Sequence, residues 1–115
     1  MAVSETEFWV LTALGSGRRH GYSVLQEVQH LTSGGVTLRV TTLYATLERL
    51  QRSDLVQPAG EEVVEGRARR YFELTGSGRT ALEDETARLE TRVRAARVVL
   101  ASGRPSPLTR AGLAL

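Results

Sequence analysis

The sequence predicts a mainly α protein with a small antiparallel β-hairpin, a winged helix-turn-helix followed by one long C-terminal helix. Three observations predict it. Three segments with helical spacing of apolar residues come first, separated by glycine- and serine-rich breaks. A stretch with two-residue alternation follows, interrupted by Gly66-Arg67-Ala68-Arg69-Arg70. Last comes a segment whose apolar residues recur at alternating steps of four and three. On this reading 1–75 is a winged DNA-binding domain, 76–102 a dimerisation helix and 103–115 a flexible tail.

The first helix opens at Ser4-Glu5-Thr6-Glu7, a capping box with Ser4 as N-cap and Glu7 reaching back. Phe8, Val10, Leu11 and Leu14 carry its apolar face, and Gly15 and Gly17 stop it. The second helix runs from about Gly21 to Leu31, with Val24, Val28 and Leu31 in one stripe. The third runs from about Thr41 to Arg52, with Leu43, Leu47 and Leu50 inward; Thr37 and Thr41 are both plausible caps. Leu55–Val56 and Val63–Val64 mark a strand that Pro58 confines to an edge. Glu65 to Ala68 reads as a turn and Arg69 to Leu74 as the returning strand, with Phe72 and Leu74 inward. Thr75 caps the last helix, where Leu82, Thr86, Leu89, Val93, Ala96 and Leu100 form an a/d seam.

Composition narrows the function. The 115 residues suit one domain with an appendage, and 41% hydrophobic content with a net charge of +2 suits a folded chain. All 15 cationic side chains are Arg, set against 13 acids. The absence of Cys excludes a disulfide scaffold, thiol catalysis and Cys-based zinc sites, and fits a reducing compartment. The longest apolar runs, Phe8–Leu11 and Val98–Ala101, are far too short for a membrane span or a signal-peptide core. His20 and His30 stand apart with no metal-binding spacing, and Asp54 and Asp84 flank no nucleophile. Gly15-Ser16-Gly17 is too short for a phosphate loop. We therefore expect no catalytic site, no metal and no cofactor.

DNA binding fits the residues better. In a winged helix-turn-helix the third helix enters the major groove. Its outward face offers Thr41, Thr42, Tyr44, Thr46 and Arg49, with Arg39 just before it. Thr can bond a base or pack on the thymine methyl, and Arg suits guanine. Arg67, Arg69 and Arg70 on the wing are candidates to grip phosphate. Tyr22 and Ser23 stand at the N-terminus of the second helix, where free N–H groups favour phosphate. The plain alternatives are a solvated helix face and an edge strand protected by charge, since Glu61, Glu62 and Glu65 flank the wing. At the level of function the alternative is a winged-helix protein-interaction module without DNA binding.

These residues also carry a resemblance. His20-Gly21-Tyr22, Thr42-Leu43-Tyr44 with Leu47 and Leu50, Leu55-Val56, and the run from Gly66 to Thr75 with Gly78-Arg79 and Leu82 resemble the PadR family of transcriptional regulators. One C-terminal helix after the winged domain resembles its short branch. The resemblance implies a cytoplasmic, prokaryotic homodimer, usually a repressor, on a pseudo-palindromic operator in double-stranded DNA. It places Tyr44 as the recognition-helix tyrosine and Gly66, Arg67, Arg69 and Arg70 at the wing tip. It also implies a small aromatic effector, for which Trp9 is the candidate contact, with a core or interface Trp as the alternative. The chain departs from the family pattern in three places. Arg39-Val40-Thr41 stands for a Ser-Pro-Gly-like run, Ala45 for a proline, and Asp54 for a Gly.

Overall fold

The computed structural model describes residues 3–103. The elements are α1 (Glu5–Ala13), β1 (Arg19–His20), α2 (Gly21–Leu31), α3 (Val40–Arg52), β2 (Val56–Val64), β3 (Arg67–Leu74) and α4 (Gly76–Ser102). Two compact units divide between Glu85 and Thr86, inside α4 rather than at its start. The tail expected after Gly103 lies outside the described residues.

In the first unit, α1, α2 and α3 close on one core of Val10, Leu11, Leu14, Val24, Val28, Leu43, Leu47 and Leu50, joined by Val56 and Phe72 from the sheet. Burying each such side chain contributes about 1.5–3 kcal/mol. The capping box at Ser4 forms in full. Leu31, expected in the apolar stripe of α2, is 44% exposed because the helix ends at that residue and leaves its side chain overhanging.

The helix stops use backbone geometry where the sequence offers no glycine. After α3 the Asp54 N–H donates to the Gln51 carbonyl and the Leu55 N–H to that of Leu50, while Asp54 takes φ 61°. That is a Schellman stop with Asp in the left-handed position that the departure from Gly implied. Ser33 fills the same role after α2, at φ 50°. The start of α3 differs from expectation. Arg39 is its N-cap with no side-chain bond, so neither Thr37 nor Thr41 caps it.

The sheet has three strands rather than two, in the antiparallel order β1-β3-β2. Arg19 pairs with Phe72 and His20 with Tyr71. The hairpin turn is tighter than expected: Val64 pairs with Arg67, leaving only Glu65 and Gly66, both at positive φ (51° and 76°), between the strands. Positive φ at both residues is the primed turn that suits strand twist. Arg67 therefore belongs to the strand, not the turn. The β2 ladder is irregular between Pro58 and Glu61, where Gly60 takes φ 107°.

The joint from α3 to α4 is close-packed. The Thr75 hydroxyl donates to the Asp54 carbonyl at 2.6 Å and accepts from the Gly78 N–H at 2.9 Å, so Thr75 caps α4 as expected. Gly78 is buried, and a Cβ there would stand 1.9 Å from the Leu55 carbonyl oxygen. Arg79 reaches back to the Gly15 carbonyl at 3.1 Å. Leu82 packs against the core of its own domain. Leu82, expected in the seam, is thus held by the core of its own unit.

In the second unit α4 continues to Ser102. Leu89 is half-buried, Thr86 and Ala96 are exposed, and Val93 and Leu100 are 51% and 72% exposed. The remaining seam is thus uncovered along most of its length.

Candidate nucleic-acid interface

The outward face of α3 carries Arg39, Thr41, Thr42, Tyr44 and Arg49, all exposed. Thr46 does not belong with them. It is fully buried, and its hydroxyl donates to the Thr42 carbonyl at 2.7 Å. The reason is periodicity: positions 43, 46, 47 and 50 form the inward stripe of a helix buried on a broad face. The Thr46 oxygen also accepts from Arg49 at 3.2 Å, which steadies that guanidinium without covering it.

At the start of α2, Tyr22 is 66% exposed. Ser23 is half-buried and has other partners. Its hydroxyl accepts from Arg19 at 2.9 Å, and its N–H donates to His20 Nδ1 at 3.3 Å. Arg19 also donates to the Ala13 carbonyl and pairs with Glu27. Ser23 and Arg19 therefore hold α2 to α1 and β1, and the Ser23 N–H expected to be free for phosphate is already bonded.

His20, absent from the sequence-level candidates, is the N-cap of α2. Because Nδ1 accepts the Ser23 N–H, the proton of the neutral ring lies on Nε2. Its ring and the Tyr71 ring stand nearly perpendicular, with centroids 5.5 Å apart. Burial, then the Arg69 charge, hold the imidazole below its usual value of 6.5, while Glu62 opposes them. No N-cap rule names His, so only the helix start at Gly21 hinted at this role.

A cleft of about 770 Å³ opens between helices and wing. His20, Gly21, Tyr22 and Tyr44 line one side, and Arg67, Arg69 and Arg70 line the other. Tyr44 is 45% exposed and rests against Gly21, where a Cβ would stand 2.4 Å from its phenolic oxygen. On the hairpin, Glu62 lies opposite Arg69 and Glu61 opposite Arg70. These two acids thus sit on β2 and their facing arginines on β3, while Glu65 of the turn also lines the cleft. The Tyr71 hydroxyl donates to Glu62, which raises its pKa above the ordinary phenol value. A cleft with aromatic hydroxyls on one wall and three guanidiniums on the other suits a phosphate backbone.

The model of the transcriptional regulator PadR-like family matches residues 10–84, from α1 into α4. The chain belongs to the PadR-like family. Among relatives, the transcriptional regulator Rv3488 of Mycobacterium tuberculosis is 39% identical to this PadR-like chain over 71 residues, covering 62% of it and 63% of the relative. The chain spans less than two thirds of the length of the curated relatives it matches. The PadR-like regulator BC4206 of Bacillus cereus superposes with a TM-score of 0.68 at 19% identity, covering 83% of this chain and 90% of that one. Bacillus subtilis PadR, solved in complex with operator DNA, superposes with a TM-score of 0.63 at 17% identity, covering 71% of this chain and 46% of that one.

Trp9 stands apart from the cleft. Trp9 packs partly against the core, with Phe8 at its edge (5.2 Å), and its buried indole N–H has no acceptor among the described residues. Among the described residues no cluster of His and acids could hold a metal ion, and no helix is long and apolar enough to cross a membrane.

Proposed function

We propose that this PadR-like chain is a cytoplasmic, operator-binding regulator, acting as a homodimer and repressing transcription by occupying its site. The observation that carries this reading is the cleft, where Tyr22 and Tyr44 face Arg67, Arg69 and Arg70. In this arrangement α3 enters the major groove and reads bases through Thr41, Thr42 and Arg49. Arg39, Tyr22 and Tyr44 contact the backbone, and the wing arginines hold phosphates. The B. subtilis PadR complex with operator DNA supports the assignment by likeness of fold. The uncovered apolar seam from Thr86 to Leu100 supports pairing of two copies, and two-fold pairing calls for a pseudo-palindromic site.

The deciding experiment is binding to the chain's own upstream DNA across a salt series. With three wing arginines on each of two subunits, the affinity should fall with a log–log slope of about −5. A flat response, with no preference over random duplex, would instead mark a protein-interaction module.

The buried, unpartnered indole N–H favours a second role for Trp9, as a contact for a small aromatic effector. Titration with planar aromatic compounds should then shift or quench its fluorescence. An unchanged spectrum across such a panel would reject the effector site.

A further inference from the structure

The wing beyond its base has little to hold it. Phe72 and Val56 are buried, but from Glu61 to Arg70 only Val64 is even half-buried. The ladder is interrupted just below this projecting half, between Pro58 and Glu61. A bulge bends and twists a strand, so this is where the hairpin's angle is set.

One side chain spans that point. Arg18 lies just before β1, at one edge of the sheet, and its guanidinium lies over the Tyr71 ring on the central strand, 4.2 Å from the centroid. It continues to β2, at the other edge, where it donates to the Ala59 carbonyl at 2.9 Å. Gly60 makes room for it: at φ 107° any side chain is strained, and a Cβ would stand 3.0 Å from the guanidinium. Beneath it the Tyr71 hydroxyl holds Glu62, on the far side of the bulge. Arg18 therefore straps all three strands at the bend.

We propose that Arg18 is a positioning residue for DNA binding, which fixes the wing's angle and so holds Arg67, Arg69 and Arg70 at their distance from Tyr22 and Tyr44. The inference rests on the DNA-binding reading above. The contact needs a flat cation that stacks on a ring while donating sideways, and an ammonium group cannot do both in this geometry. Lys at this position therefore acts as a loss, not as a conservative change.

The test has two arms. In the free protein, hydrogen exchange at hairpin amides from Glu61 to Arg70 should quicken in R18A and R18K, with core amides such as Leu47 unchanged. Unchanged hairpin exchange would overturn the strap, whether or not DNA binds. The second arm titrates a random duplex of about 20 base pairs at low salt, since phosphate contacts do not need the operator. R18A and R18K should weaken binding about three- to tenfold, the range expected for ordering a mobile interface element on binding. The factor lost in R67A should shrink when R18A is already present. Fully multiplying factors for R18A and R67A, or wild-type affinity in R18A, would overturn the positioning role. If the wild type binds no duplex at all, the DNA reading fails, and the exchange arm alone decides the strap.

Discussion

Gly21 and Tyr44 share one space: a Cβ on Gly21 would stand 2.4 Å from the Tyr44 phenolic oxygen and 2.9 Å from Cζ. The Gly of one motif is thus the seat of the Tyr of the other. Gly21→Ala should push the ring outward and cost about 1–3 kcal/mol through overpacking. Urea denaturation checks the cost. The double variant with Tyr44→Ala should recover most of it, and strictly additive costs would argue against a shared space.

His20 makes stability depend on pH. Its folded pKa lies below the ordinary imidazole value of 6.5, so the unfolded chain takes up the proton first. The contribution is complete above 6.5 and is lost as pH falls through the lower folded value. A protonated Nδ1 also cannot accept the Ser23 N–H. His20→Asn keeps an N-cap but has no such titration. Its stability, measured by denaturation at pH 7.5 and at pH 5, should fall less on acidification than that of the wild type.

Asp54 occupies a left-handed position at φ 61° with its backbone N–H already bonded to the Gln51 carbonyl. Asp54→Gly should remove that conformational cost and stabilise the fold by about 0.5–1 kcal/mol. The midpoint in urea should rise at an unchanged slope. The Thr75 bond is to the main-chain carbonyl of Asp54 and should survive the change.

Arg67 is exposed on β3 at the wing tip and lines the cleft. Arg67→Ala should weaken binding to operator and random duplex alike, and make the salt slope shallower by about 1 per subunit. An unaltered slope would remove Arg67 from the phosphate contacts. Because a guanidinium can hold phosphate with two parallel bonds, Arg67→Lys should fall between wild type and Ala.

The apolar seam predicts an assembly effect. Leu89 is half-buried, and Val93 is 51% exposed next along the seam. Leu89→Glu would place a charge in the centre of a paired interface, and sedimentation should show monomers with the winged domain still folded. A dimer would mean that the seam does not pair.

Much of the fold was legible because spacing carries it. The helices came from periodicity and the hairpin from alternation around Gly66. What failed was local. The strand β1 has two residues, too few for any period, and exists through its pairing with Tyr71 and Phe72. Thr46 is polar and so reads as outward, although 43, 46, 47 and 50 mark one face. A β-branched hydroxyl can be buried when a carbonyl one turn back accepts it, as Thr42 does here. Leu82 has correct heptad spacing, but spacing along a helix says nothing about which partner each turn meets. Of the candidate site, the wing arginines, Tyr22, Tyr44 and the outer face of α3 were legible from residue type and motif. His20, Arg18 and the role of Gly21 were not, because each depends on a contact between elements distant in the chain.

The fit of Gly78 against Leu55 divides the chain's evolutionary freedom. At position 78 no side chain can be accepted without moving the main chain of the α3–β2 joint, so drift there is closed. On the proposed homodimer, the half of α4 beyond Glu85 sets the pairing. A lineage could therefore rewrite the outer half of α4, trading one pairing specificity for another, while the reading head stays unaltered. Duplicated copies of such a gene could separate into non-mixing regulators by changes in that half alone.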